Sequence, residues 1–276
     1  MSRIAAIQMT STTSLEKNLT TAANLIKQAA KQDAQLAVLP ENFALMGKNE
    51  TDKVNIREPF GSGVIQQFLA EQAKQNKIWL VGGTIPIAAN HPDKVRAACL
   101  VYNEQGQCVA RYDKIHLFDV CVTPGVEEHH ESRAIEPGDK IIVTDTPVGH
   151  LGLAVCYDIR FPELFKVMLQ QKAEIIALPT AFTYTTGQAH WDILTRARAI
   201  ETFCFFIGAC QSGQHENGRK TYGHSNIIHP WGNVLACLAE GEGVIVADLN
   251  LAEQQAIRKR VPIIEHQRIN IPANFN

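Results

Sequence analysis

Cys156, Glu41 and Lys114 each stand just past the end of a short apolar run, where an open α/β fold gathers the side chains that meet its ligands. Residues 152–155 run straight into Cys156; the polar Tyr157, Asp158 and Arg160 follow, and Pro162 marks a helix start. Backbone N–H groups of such a turn favour a thiolate and can hold an oxyanion. The competing reading is packing, because free cysteines are among the most buried residue types. A thiol of pKa about 8.5 is ionised only to a few per cent at neutral pH, so a nucleophilic cysteine needs a base or a cation beside it. Glutamate is the right residue type for the base and lysine for the cation. Taken singly, Glu41 also reads as a hydrated turn carboxylate, and Lys114 as a surface lysine beside Asp113.

The elements that must position these residues follow from periodicity. Residues 4–9 read as a buried strand, and Thr13 to Glu16 fits a capping box for a helix whose Leu15, Leu19, Ala22, Ile26, Ala29 and Ala30 share one face. A strand at 36–39 stops at Pro40, and strand, helix, strand implies a right-handed crossover between parallel neighbours. Gly61-Ser62-Gly63 opens a second helix and reads as a turn, since the rest of any phosphate motif is missing. A strand at 78–81 precedes a hairpin, 97–102 with 108–112, whose second arm delivers Asp113, Lys114 and His116. Residues 118–140 lose periodicity; Pro124, Gly125, Pro137 and Gly138 punctuate an acid-rich loop of the kind that covers a site.

Further strands are expected at 141–145, 152–155 and 174–178, the last ended by Pro179, with a helix running to Gln171 between them. A helix at 189–202, strands at 204–209, 223–229, 234–237 and 243–249, and a helix at 251–260 complete the pattern; the tail to Asn276 has little periodicity. Ala37-Val38-Leu39-Pro40-Glu41-Asn42-Phe43 resembles Ala177-Leu178-Pro179-Thr180-Ala181-Phe182, each preceded by strand and helix. The match is short, and it suggests two related α/β halves with paired sheets inside and helices outside.

At 276 residues the chain fits one domain, 1–276, with a large core. A 45% hydrophobic and 20% charged composition excludes disorder for the bulk of it. The net charge of −2, without a basic block, gives nucleic acid nothing to bind. The uncharged stretch 203–210 is far short of a membrane span, and residues 4–9 are too short for a signal segment, so no membrane partner is expected. Seven scattered cysteines, an odd number, point to a reducing, cytoplasmic compartment. No C-x-x-C occurs, and His129-His130 in a charged stretch reads as solvated, so neither metal nor cofactor is expected.

Pro40-Glu41-Asn42, Tyr112-Asp113-Lys114-Ile115-His116-Leu117 and Ala154-Val155-Cys156-Tyr157-Asp158-Ile159-Arg160-Phe161-Pro162-Glu163 resemble, in order and spacing, the three catalytic motifs of the nitrilase superfamily of carbon–nitrogen hydrolases. Thr186-Gly187-Gln188-Ala189-His190-Trp191, Arg196-Ala197-Arg198-Ala199-Ile200-Glu201 and Tyr222-Gly223-His224-Ser225 extend the likeness to nearly the whole chain. The resemblance implies a four-layer αββα sandwich, usually dimerised, so a homodimer is expected. It also implies roles: Cys156 attacks the substrate carbonyl, Glu41 moves the proton, and Lys114 with the Tyr157 N–H holds the oxyanion. A second glutamate would orient Lys114; Glu131 matches best, with Glu127 and Glu128 close by.

The motif around Cys156 is most similar to the branch of deaminated glutathione amidases, with ω-amidases next. Both act on a small amide bearing an α-keto carboxylate, which calls for a cation. Arg160 is the candidate, since arginine meets carboxylates in a planar fork, and the resemblance puts Phe182 and Thr186 in the same pocket. Arg160 pairing with Glu163, and Phe182 as core, are the structural alternatives. Two other classes of function stay open: a non-catalytic protein keeping the fold, and a cysteine–histidine hydrolase using His116, His190 or His224.

Overall fold

Residues 4–7 are buried on both faces, which is what an uninterrupted apolar strand demands: Ile4 and Ala6 join one core, Ala5 and Ile7 another. The computed structural model describes residues 2–123 and 127–269. In chain order, β1 (Ser2–Gln8), α1 (Leu15–Lys31), β2 (Leu36–Val38), α2 (Asp52–Asn55), α3 (Val64–Asn76) and β3 (Trp79–Val81) lead to β4 (Ile85–Ala88), β5 (Val95–Tyr102) and β6 (Cys108–Asp113). The hairpin β7 (Asp119–Thr123) and β8 (Glu127–His130) precedes β9 (Val143–Thr146), β10 (Gly149–Leu153), α4 (Pro162–Gln170), β11 (Ile175–Thr180), α5 (Tyr184–Thr202) and β12 (Phe205–Cys210). Then come β13 (Ser212–Gln214), β14 (Lys220–Tyr222), β15 (Ser225–Ile228), β16 (Val234–Leu238), β17 (Gly243–Leu249), α6 (Leu251–Arg260) and α7 (Ile263–His266).

Two sheets stack face to face. The first runs β17-β1-β2-β3-β5-β4 with β6 beside β5, and the second runs β16-β15-β12-β11-β10-β9. Each centres on three parallel strands, β1-β2-β3 and β10-β11-β12, flanked by antiparallel neighbours. Ile4, Leu36 and Val38 of the first sheet meet Leu151, Leu153 and Ile175 of the second in one core. Ala22 and Ile26 of α1 and Leu69 of α3 cover the first sheet's outer face, while Phe165 of α4 and Trp191 of α5 cover the second's. This is the αββα order expected from the motifs. Among the described residues no helix is long and apolar enough to cross a membrane.

Several boundaries differ from the periodicity reading. Ser14, rather than Thr13, caps α1 through Lys17 N, and the Thr13 hydroxyl bonds Glu216 instead. The turn before α3 holds an internal anion: the Glu58 carboxylate accepts from Ile65 N and Gln66 N. Residues 118–140 are not irregular throughout, because Asp119, Val120, Cys121 and Thr123 of β7 pair with the charged β8; Pro124 and Gly125 lie outside the described residues, as does the tail from 270.

Pro179 continues β11 rather than ending it. Ala177 bonds toward β10, so Pro179, two residues on, turns its missing N–H to the same side, where β10 has already left the sheet. Helix α5 starts five residues before Ala189 and runs through Gly187, where a Cβ would come within 2.3 Å of the Tyr222 side chain. The glycine is thus a packing contact inside the helix.

Candidate active site

The site forms where strands of both sheets end. Glu41 follows β2 by two residues beyond Leu39, and the tight path there depends on Gly83: with φ of 57°, it passes so close to Pro40 O that a Cβ would lie 2.2 Å from it. Gln211 Nε2 donates to Glu41 O at 3.0 Å, and Asn42 N donates to the Thr84 hydroxyl at 2.9 Å. Lys114 leaves β6 pinned at both ends of its peptide, its N–H donating to Ala97 O and its carbonyl accepting from Gly138 N.

These anchors place three charges in contact with almost no water. Lys114 Nζ donates to Glu41 Oε1 at 2.9 Å and to Glu131 Oε1 and Oε2 at 2.9 and 2.8 Å; all three residues are buried. Glu131 also accepts from Phe118 N, which fixes it at the foot of the β7–β8 hairpin. Of the three glutamates considered, Glu131 is the one that reaches Lys114; Glu127 turns to His129 and Glu128 to His130. Burial lowers the Lys114 pKa, but Glu131 and then Glu41 outweigh it and hold the ammonium well above its ordinary value. Burial likewise raises the Glu131 carboxyl, yet Lys114 and Lys53 bring it below the usual range.

Cys156 opens a 3-10 turn, Cys156–Arg160, directly after β10, with φ of 45°. A non-glycine residue in that left-handed region is strained and persists only where the surroundings hold it. Asp158 supplies the hold. Fully buried, its carboxylate accepts from Val155 N at 2.8 Å, Tyr112 Oη at 2.7 Å and His116 N at 3.1 Å, and lies 2.7 Å from His116 Nδ1. Asp158 therefore ties the cysteine turn to the lysine strand. Replacing Asp158 with alanine leaves those donors stranded and is expected to cost about 3 kcal/mol of stability and to lower kcat more than it raises KM. Denaturant melts and steady-state kinetics measure both.

The Cys156 thiol is pushed up to about 12, first by burial and then by the Glu41 charge; Lys114, the Thr180 hydroxyl and the Ala181 N–H act in the opposite direction. The resting group is thus a neutral thiol that needs a base at the moment of attack. Cys156, Glu41, Lys114, Glu131 and Tyr157 line one cleft, with Phe182 and Thr186 on its wall. The Tyr157 N–H lies in the first turn of the 3-10 segment, where amides have no intrahelical acceptor.

Arg160 lies beside the cleft: its guanidinium is over the rings of Tyr157 and Phe182, which line it, with Nη2 3.2 Å from His190 Nδ1, while Arg160 itself does not line it. Nor do His116, His190 or His224: His116 stacks on Phe161, and His224 stacks on Tyr222. His129 does line it, while His130, the next residue on β8, is turned to the other face, so the pair cannot close on one ion. The cleft also gathers Glu50, Lys53, Phe118 and Arg219, which no motif marked. Lys53 comes from the single turn of α2 and the others from irregular segments, none of which the periodicity marks.

Comparison with known proteins extends the likeness beyond these motifs. Deaminated glutathione amidase of Bos taurus is 38% identical over 276 residues, covering 99% of this chain and 84% of that protein. Its Yersinia enterocolitica counterpart is 38% identical over 266 residues, with 96% and 92% covered. The crystal structure of the C. elegans NitFhit protein matches with a TM-score of 0.90 at 35% identity, covering 97% of this chain and 65% of that one. The carbon-nitrogen hydrolase family model matches residues 3–259, from the start of β1 to the end of α6, and the chain belongs to the carbon–nitrogen hydrolase family.

Proposed function

We propose that this protein hydrolyses the amide bond of deaminated glutathione through a thioester on Cys156. The observation that carries the reading is the Lys114 ammonium, held between Glu41 and Glu131 on the wall of the cleft that Cys156 lines. Glu41 accepts the thiol proton as sulfur attacks the carbonyl, Lys114 and the Tyr157 N–H bind the oxyanion, and Glu41 returns the proton to the departing nitrogen. Water activated by Glu41 then cleaves the thioester. Glu131 orients Lys114 and shares its charge. Phe182 and Thr186 bound the acyl pocket, and Arg160, over the rings of Tyr157 and Phe182, supplies the cation for the substrate carboxylate.

The names of the Bos taurus and Yersinia enterocolitica relatives support deaminated glutathione, cleaved to α-ketoglutarate and cysteinylglycine. The second reading, ω-amidase action on α-ketoglutaramate, requires the same acyl pocket and differs in releasing ammonia. Seven free cysteines fit a reducing, cytoplasmic setting. A homodimer would cover exposed Ile200 and Trp231, which lie beside one another across Gly232. The test compares kcat/KM for deaminated glutathione, α-ketoglutaramate, simple nitriles and N-carbamoyl compounds. Deaminated glutathione is expected to lead; inert keto-acid amides beside an active nitrile would sink the assignment.

A further inference from the structure

Deaminated glutathione carries a carboxylate at each end, one on the α-keto acyl group and one on the glycine of the departing cysteinylglycine. α-Ketoglutaramate has only the first, because its leaving group is ammonia. A cation on the leaving-group side of Cys156 would therefore favour the peptide amide. Three cations line the cleft: Lys53, Lys114 and Arg219. Lys114 is taken up by its two carboxylates, and Lys53 lies close enough to Glu131 to help hold that carboxyl down. Arg219 is left over. Among the described residues it takes part in no ion pair, not even with Glu50, which lines the same cleft. Of its guanidinium nitrogens Nη2 alone meets an acceptor, and Nε is buried without one. Donors in that state are a cost that a ligand oxygen removes.

Its distance from the nucleophile suits a dipeptide. Nη2 donates to Ala181 O at 2.6 Å, and the N–H of the same residue acts on the Cys156 thiol, so one residue with a hydrogen bond at each end joins guanidinium to sulfur. An extended cysteinylglycine spans at most about 7 Å, a reach of the same order as that bridge. The two arginines also face different neighbours. Arg160 meets His190 of α5, whereas the Arg219 charge bears on His129 of the β7–β8 hairpin, whose pKa is lowered by burial first and by Arg219 next. The Arg219 backbone is fixed: its N–H donates to Asn217 Oδ1 and its carbonyl accepts from His215 N, while Asn217 Nδ2 reaches Gly47 O. An arginine held this way loses little further freedom on gripping a planar carboxylate.

We propose that Arg219 binds the glycine carboxylate of the departing cysteinylglycine and so favours the peptide amide over a primary amide at this site. The assignment rests on deaminated glutathione as substrate, and the experiment separates the two. Steady-state kinetics of wild type, Arg219→Ala and Arg219→Lys would use three compounds: deaminated glutathione, the same molecule with its glycine carboxylate converted to the neutral amide, and α-ketoglutaramate. Calorimetry would measure binding of the first two to Cys156→Ala and to the double variant Cys156→Ala with Arg219→Ala.

Arg219→Ala is expected to lower kcat/KM for deaminated glutathione by about 10- to 100-fold, mainly through KM. The wild type should prefer the free carboxylate over its amide by a similar factor, and in Arg219→Ala that preference should shrink to within about threefold of unity. For α-ketoglutaramate the fall should be less than about threefold, and Arg219→Lys should recover part of the preference. The proposal is overturned if wild type handles carboxylate and amide alike, if Arg219→Ala keeps the preference, or if it impairs all three compounds equally. Should wild type hydrolyse no deaminated glutathione, the substrate reading fails on its own. The Arg219 subsite then stands if Cys156→Ala binds the carboxylate form about tenfold or more tighter than the amide and the double variant does not, and falls if the two forms bind alike or neither binds. Should Arg219→Ala not fold, Arg219→Gln carries the same comparisons, judged by the same ratio.

Discussion

Cys156→Ala is expected to lower kcat by about 10⁴-fold or more while leaving the fold intact. The side chain is small and its removal opens little space, so the melting temperature should stay within a few degrees of wild type. What disappears is the only atom in the account able to form the covalent intermediate. Because the resting thiol is pushed up to about 12, its reaction with iodoacetamide near neutral pH should also depend on Glu41 as base. Glu41→Gln is expected to slow that labelling. A Cys156→Ala protein that kept most of its turnover would instead support a water attack or a histidine base, and a pH–rate profile with an imidazole limb would accompany it.

Lys114→Met is expected to damage activity and stability together. A methionine fills similar volume but leaves the Glu41 and Glu131 carboxylates buried without a counter-charge, a loss of about 3–5 kcal/mol when one partner of a buried pair is removed. For a chain of this size that amounts to a fall of roughly 10 °C in melting temperature. The oxyanion loses its cation as well, so kcat should drop at least about 100-fold.

The pH dependence has a definite sign. In wild type, against the effect of burial, Lys114 and Lys53 hold the Glu131 carboxyl below the usual carboxylate range, so its contribution is present above the unfolded value and is lost as pH falls through the folded value. In Lys114→Met the depression vanishes and burial raises the carboxyl instead, so the folded variant takes up protons as pH falls and its stability deficit relative to wild type should narrow in acid. Thermal melts between pH 3 and pH 7 follow the gap. A deficit that stays constant across that range would contradict the triad.

The parts of this site that lie on regular elements were legible as sequence. Glu41, Lys114 and Cys156 each end a run whose periodicity marks it as a strand, and stacking two sheets brings those ends together. Glu131 was narrower to read: only contact with Lys114 separates it from Glu127 and Glu128, since all three sit in one acidic stretch. Asp158 was visible as a polar residue beside the nucleophile, but its role depends on Tyr112 and His116, more than forty positions away in the chain and folded against it.

Where reading failed, the cause is local pattern overruled by packing. β4 was missed because Pro86 interrupts an apolar run, and β13–β14 because two three-residue strands carry no usable period. Arg219, 63 positions from Cys156 along the chain, enters the cleft on the β13–β14 connection.

The central claim is that Cys156 carries the acyl group during turnover. Rapid acid quench of the enzyme mixed with deaminated glutathione, followed by peptide mass spectrometry, tests it directly. The account predicts a hydroxylamine-labile adduct with the mass of the α-ketoglutaryl group on the peptide containing Cys156, absent from Cys156→Ala. Full turnover with no adduct on that peptide at any quench time, or an adduct on another residue, would contradict it.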